Sequence, residues 1–524
     1  MVLAVTPSVA KTPLMRCFLA VLVLTLALGC SRAPSPSAEA APSLRVALVT
    51  DLKGYLEPCG CTSNPLGGID RLAAQVEALR KDGVPLLVVA AGDVFFDAEV
   101  LEPARVDQAH RNARTLVGVL DRIGVTAVVP GGNDLAQPEE ILEELRSASD
   151  FAWLADTSNI EKAEHQVGGI KLALLGARSG ANIDAVRELG AEASSQSDLS
   201  ILLVDGSRRD ATELANASGA DFVVQGGLDQ DAPIAPRPSR GSWVLHASRQ
   251  GQGLTVVDVF QNKKGAPFTD ESAWSREERA GQLDRRIEDL SAKIATWEKS
   301  GDFEPADLEP QRAQLAQLGT ERAELAAPRP PSKGNVFQAR FVELQKQAPR
   351  DGVVSKMMLE HDKAVNQANR VAFADLAPPP LGPGDIAYVG STACSACHAG
   401  AYTWWRNHAH GAAYLTLQQR HKEFNLDCVG CHVTGYEQPG GSTVTHNLDM
   451  ALVGVGCESC HGPGAAHSVN PEVKVVRMTP ESTCIACHNE EHSDLFDYDE
   501  YVKTLVVPGH GLPVKAPGST PAPK

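Results

Sequence analysis

The sequence predicts a multidomain chain: an α/β sandwich, a helical hairpin, then a mainly α C-terminal domain. Three observations carry that expectation. From Leu44 to about Phe260, short apolar runs alternate with helical patterns, which reads as α/β with a largely buried central sheet. Over residues 275–326, Leu and Ile recur at steps of three and four, the spacing of amphipathic helices. Beyond Asp385 the chain repeats one pentapeptide pattern four times.

The 524 residues suit two to four domains. Hydrophobic content of 43% with 22% charged residues describes a folded globular protein rather than a disordered one. A net charge of −17 speaks against nucleic acid as partner, because phosphates need a basic face. At the N-terminus, Phe18 to Leu28 is apolar and follows Lys11 and Arg16. It is too short to span a bilayer and matches a signal-peptide core within residues 1–30, with Met15 as an alternative start. The segment ends Ala27-Leu28-Gly29-Cys30-Ser31, which resembles a bacterial lipoprotein box. Cys30 is therefore expected to carry lipid and tether the protein to a membrane, ordinary signal cleavage or an uncleaved anchor being the alternatives. The location expected is the periplasm or the outer membrane of a bacterium.

Residues 31–43 form a Pro/Ser/Ala tether. Within an α/β domain over 44–262, strands are expected at 44–50, 85–91, 125–130, 170–175, 201–205, 222–225, 243–246 and 254–259. Helices are expected at 69–81, 106–123 and 138–147. Leu283, Ile287, Leu290, Ile294 and Trp297, then Leu308, Leu315, Leu318 and Leu325 beyond a break at Gly301, give an antiparallel helical hairpin or coiled coil over 275–326. It serves either as a spacer arm or as an oligomerisation device. Residues 334–375 read as a connecting segment, and 376–384, with Pro378-Pro379-Pro380, as a stiff linker. The C-terminal domain occupies 385–512, and 513–524 is a Pro/Ala/Gly tail.

The repeats are Cys394-Ser395-Ala396-Cys397-His398, Cys428-Val429-Gly430-Cys431-His432, Cys457-Glu458-Ser459-Cys460-His461 and Cys484-Ile485-Ala486-Cys487-His488. Each reads as a c-type haem attachment site, in which two thiols form thioethers and the adjacent histidine binds iron from the proximal side. Zinc would tolerate such thiol pairs but gives no reason for a histidine after each one. Roughly 130 residues carrying four haems cannot hold a conventional core, so the macrocycles themselves are expected to fill it and to relay electrons. Haem attachment of this type takes place outside the cytoplasm, in agreement with the signal segment. His408, His410, His421, His446, His467, His492 and His510 remain for the distal positions.

The run Tyr388-Val389-Gly390-Ser391 through the first haem site, with Tyr402, Trp405, His410 and Ala412, resembles the tetrahaem cytochrome c-554 family. So do Gly454 through Gly464 with His467, and His492-Ser493 followed by Phe496, Tyr498 and Tyr501. The resemblance implies a mainly helical domain with stacked haem pairs, mostly bis-histidine, and redox proteins as partners. Carried over by motif, His410, His467, His492 and His510 are distal candidates. His446 and His421 are held in reserve, and His408 competes with His410.

Asp51, Leu66-Gly67-Gly68-Ile69-Asp70-Arg71, Ala91-Gly92-Asp93 and Pro130-Gly131-Gly132-Asn133-Asp134 are similar to the calcineurin-like metallophosphoesterase domain of bacterial 5′-nucleotidases. The resemblance implies two metals at strand ends that hydrolyse phosphate esters. Asp51, Asp93 and Asn133 match that cage. Lys53 stands where the first histidine belongs, Asp134 replaces the histidine after Asn133, and the later histidine motifs fall on Gly206-Ser207 and Gly226-Gly227-Leu228. A lysine ammonium repels a metal ion, so no divalent metal is expected. The domain is then a docking or haem-shielding scaffold, with a phosphoesterase as one alternative. Cys59 and Cys61 flank one glycine and are either redox or metal-binding thiols, or inert ones. The function expected is an exported electron carrier; the other alternative is an oxidoreductase acting on a small nitrogen or oxygen species at an open haem.

Overall fold

The computed structural model describes residues 41–58, 65–156, 158–228, 235–300, 305–326, 334–446, 450–489, 492–493, 495–505 and 507–508. Cys30, Cys59, Cys61 and His510 lie outside the described residues. No helix among the described residues is long and apolar enough to cross a membrane.

In chain order the strands are β1 (Leu44–Thr50), β2 (Leu86–Gly92), β3 (Val125–Pro130), β4 (Ala152–Trp153), β5 (Ile160–Val167), β6 (Ile170–Arg178) and β7 (Leu199–Asp205). They continue with β8 (Phe222–Gly226), β9 (Arg237–Ser239), β10 (Ser242–Leu245), β11 (Gly253–Phe260), β12 (Phe268–Asp270) and β13 (Asn335–Glu343). Two sheets result, ordered β12-β13-β11-β1-β2-β3-β4 and β5-β6-β7-β8-β10-β9. Both faces of the central strands are covered, which explains their near-continuous apolar sequences. In β1, Leu44, Val46 and Leu48 pack between the sheets, whereas Ala47 and Val49 face the outer helices.

Outside the first sheet lie α1 (Ile69–Lys81), α2 (Val106–Ile123), the single turn α3 (Gly132–Leu135) and α4 (Glu139–Ala148). Outside the second lie α5 (Ile183–Gln196) and α6 (Arg208–Ser218), over a core that includes Leu175, Leu202, Val204 and Leu214. The α/β sandwich that the sequence predicts is thus four layers deep, with α3, α5, α6 and strands β4, β5 and β9 beyond the elements named from the sequence.

The domain does not end near residue 262. Strand β13 pairs antiparallel with β11 from Gly253↔Glu343 to Phe260↔Val336 and parallel with β12. Helix α9 (Gly352–Ala372) buries Val354 and Met358 in the same core as α1 and α2. The stretch expected as a connector is therefore part of the sandwich, because its apolar residues complete an otherwise open sheet edge and helix layer. The hairpin, α7 (Ala273–Ser300) and α8 (Glu309–Ala326), is inserted between β12 and β13. Its antiparallel pairing is marked by Arg312–Glu298 at 2.6 Å and Arg322–Asp284 at 2.8 Å.

The C-terminal region is built from one- to three-turn helices: α10 (Ser391–Cys394), α11 (Ala399–Arg406), α12 (Ala409–Gln418), α13 (Val429–His432), α14 (Cys457–His461), α15 (Ala465–Val469), α16 (Glu481–Cys484) and α17 (Tyr498–Thr504). One small apolar cluster of Tyr414, Val429, Val433 and Val444 is described there, and Phe373 just beyond α9 packs on it. The expected linker is anchored too: Gly440 N donates to Pro379 O at 3.0 Å and Thr443 Oγ1 to Leu376 O at 2.8 Å. Gln108 of α2 donates to Asn425 Oδ1 at 3.2 Å and Asp427 Oδ2 at 2.7 Å, and its own Oε1 accepts from Asn369 and from Leu426 N. Arg105 adds an ion pair to Asp427.

Candidate functional site

Each pentapeptide includes or adjoins a single helical turn, in which residues three apart share a face, so both thiols and the following imidazole converge on one side. His398 N donates to Cys394 O at 2.9 Å and His488 N to Cys484 O at 2.8 Å, closing two of these turns. The motifs are fastened to one another through buried polar groups. Glu458, inside the third motif, accepts from Val389 N, Gly390 N and Gly464 N at 2.7–3.0 Å. Cys457 N donates to Ser391 Oγ at 3.0 Å, Gly456 N to Thr434 Oγ1 at 2.9 Å, and Trp405 Nε1 to Val455 O at 2.8 Å. The thiols of Cys394 and Cys457 lie within hydrogen-bonding reach, as do those of Cys431 and Cys487. The first motif is thereby brought edge to edge with the third, and the second with the fourth.

The imidazoles are oriented by their Nδ1 atoms. His432 Nδ1 bonds Ala413 O at 2.7 Å, His461 Nδ1 bonds Val476 O at 2.6 Å, His467 Nδ1 bonds Val473 O at 2.8 Å, and His488 Nδ1 meets Ser493 Oγ at 3.2 Å. With Nδ1 engaged, Nε2 is the nitrogen presented to a metal. Two histidine pairs face each other: His398 and His467, ring centroids 6.3 Å apart, and His410 and His488, 6.2 Å apart. Two imidazole nitrogens each about 2 Å from a shared metal put their ring centroids roughly 6 Å apart. Burial pushes His410 down to about 4, so it carries the neutral ring that ligation requires. The residues therefore fit axial ligation of iron.

The other distal candidates are placed less directly. His408 spends its Nδ1 on His410 N, at 3.3 Å, as the cap of α12, and stacks on Trp404 at 4.4 Å. His410, not His408, faces a proximal imidazole. His446 sits in a loop tied to Leu376 and Phe373 by Thr443 and Thr445. His421 has a left-handed φ of 57° in the turn after α12. His492 N donates to Asn489 Oδ1 at 2.9 Å, while its Nδ1 is buried without a hydrogen-bond partner among the described residues.

In the α/β domain, Asp51, Asp93 and Asp205 meet where β1, β2 and β7 end. Gly92 permits this: its φ is +90°, and a Cβ there would lie 2.1 Å from Asp51 Oδ1. Asp51 Oδ1 accepts from Gly227 N at 2.8 Å, and Asp93 Oδ1 from Asn133 N at 2.9 Å. Burial, reinforced by mutual repulsion, raises Asp51 and Asp205 to about 7 each and also raises Asp93. Asp205 escapes the motif comparison, although an aspartate closing an apolar strand run, as at Asp51 and Asp93, marks it in the sequence.

The donors do not fit a two-metal cage. Asp134, fully buried, spends its carboxylate on Val94 N, Phe95 N and Phe96 N at 2.8–2.9 Å and on Gly131 N at 3.3 Å. The Lys53 charge acts on Asp93. Among the described residues no group of three His, Cys, Asp or Glu is arranged to hold a metal.

Residues 393–462 match the family model for cytochrome c554 and c-prime. Cytochrome c-554 of Nitrosomonas europaea is 39% identical over 95 residues, 15% of this chain and 40% of that protein. The C-terminal region is thus similar to cytochrome c-554 over less than half of that protein's length. Among solved structures, a 5′-nucleotidase precursor of Thermus thermophilus is 12% identical with a TM-score of 0.43, covering 72% of this chain and 67% of that one. The calcineurin-like phosphoesterase YfkN of Bacillus subtilis is 16% identical with a TM-score of 0.33, covering 42% and 86%. The sulfate thiohydrolase SoxB of Thermus thermophilus is 17% identical with a TM-score of 0.36, covering 42% and 54%.

Proposed function

We propose that the protein is an exported, lipid-tethered electron carrier with four covalently bound haems, whose α/β domain is a rigid mount and partner-docking body without hydrolase activity. The observation that carries this reading is the set of four thiol-thiol-histidine turns, two of them with a second imidazole at bis-ligand spacing. The eight cysteines Cys394, Cys397, Cys428, Cys431, Cys457, Cys460, Cys484 and Cys487 would hold the haems, and His398, His432, His461 and His488 the irons. His467 and His410 would be the distal ligands opposite His398 and His488. The haems supply one-electron iron chemistry; the chain's own part is to orient imidazoles and to fix the spacing between motifs. Cys30 would bear the lipid. Asp51, Asp93 and Asn133 remain as the remnant of a metal cage, displaced by Lys53.

The purified protein should weigh the processed chain plus four haems, and replacing His467 or His410 by Ala should each turn one low-spin haem signal high-spin in EPR. Neither change occurring would overturn the ligand assignment, and colourless protein would overturn the whole reading. Phosphatase assays with manganese should show no turnover; turnover abolished by Asp93→Ala would instead establish a working hydrolase.

A further inference from the structure

The haem-bearing region meets the α/β domain along residues 422–427, and this strip carries a buried ammonium. Lys422 is 8% exposed. Its Nζ lies 3.3 Å from Glu57 Oε1, beyond β1, and 3.2 Å from Asp362 Oδ1 in α9. Both counter-charges thus come from the α/β domain. A chain of turns fixes Lys422 relative to the second motif: its carbonyl accepts from Asn425 N at 3.0 Å, and Asn425 O accepts from Cys428 N at 3.1 Å and Val429 N at 2.9 Å. The Lys422 ammonium thus lies near the Cys428 sulfur. His361, bonded through Nδ1 to Thr115 Oγ1 at 2.9 Å, also faces the cluster, and burial with the nearby Lys422 and Arg111 charges keeps it neutral by pushing it down to about 4.

Burying an ammonium is costly unless it is paired, and Gln108 with Asn369, together with the Arg105–Asp427 pair, already sets the docking register without Lys422. When a haem iron accepts one electron from a donor, its charge falls by one, so a fixed cation beside it in a low dielectric favours the reduced state. We propose that Lys422 sets the reduction potential of the haem bound at Cys428 and Cys431, raising it, and that Glu57 and Asp362 moderate the effect from the α/β side. The inference rests on the haem reading above.

The test is an optical redox titration of the full chain with mediators. Lys422→Gln should lower one of the four midpoint potentials, and Glu57→Gln, which removes a half-exposed carboxylate, should raise the same one. His432→Met identifies that haem, because an axial methionine raises its potential. Shifts of opposite sign at that haem support the proposal. Shifts in one direction, shifts at another haem, or no shift overturn it. Should Lys422→Gln not accumulate as folded protein, the Glu57→Gln shift alone decides. Haem count and thermal melting of each variant separate the two failures: fewer than four haems in the unaltered protein defeats the haem reading, whereas four haems with unmoved potentials defeats only the role of Lys422.

Discussion

At the level of single side chains, burial holds the three strand-end aspartates above the usual carboxylate range. Asp205 titrates at about 7 in the fold against 3.8 for the free side chain. A folded value above the unfolded one means that its stabilising contribution is complete below the unfolded value and disappears as pH rises through about 7. Asp205→Asn does not titrate, so it should be more stable than the native chain at pH 8 by about 1–2 kcal/mol, with the gap closing below pH 4. Melting curves at the two pH values check this. A native chain that melts higher than the variant at pH 8 would indicate that the carboxylate is engaged there. Asp51, Asp93 and Asn133 are legible in the sequence because their motifs come in a recognisable order. Lys422 is not: a lysine carries no sign of its own burial, and Glu57 and Asp362 reach it only through the tertiary fold. The choice of His410 over His408 likewise needs the cap geometry of α12.

At the level of elements, the strands that sequence patterns locate are those buried on both faces, such as β1, β2 and β7, whose apolar runs are bounded by turn residues. Strand β13 escapes such patterns because it reaches its sheet after the intervening hairpin, and pairing with β11 across that insertion leaves no local mark. Helix α9 escapes them for a related reason, since its apolar face is answered by α1 and α2 far upstream. The four pentapeptides are the opposite case: both thiols and the adjacent histidine lie in five consecutive residues. The joint between α2, α9 and the 422–427 strip makes a further expectation. Gln108→Ala would leave Leu426 N without its acceptor inside the joint and reduce the Asn369 amide to its bond with Phe424 O, at a cost of about 1–3 kcal/mol. The variant should melt lower and be cut faster by protease within 373–384; an unchanged melt and cleavage rate would show that the joint does not depend on this residue.

At the level of the whole molecule, the hairpin is an insertion whose removal the sheet should survive. Strands β12 and β13 run parallel, so a flexible Gly/Ser segment of about a dozen residues, long enough to return from the end of β12 to the start of β13, can replace residues 273–332. The shortened chain should keep its haem content and melt within a few degrees of the native one. Light scattering then decides what the arm is for: a native dimer that becomes a monomer assigns it to self-association, and an unchanged mass assigns it to spacing. The anchoring of residues 376–384 onto the 440–443 loop has a different consequence. On the electron-carrier reading proposed above, a unit held that way does not swing on its leash to fetch charge from one place and deliver it to another. It would act as a stationary terminal, where traffic is set by how visiting carriers berth and by which berth their charge and shape allow.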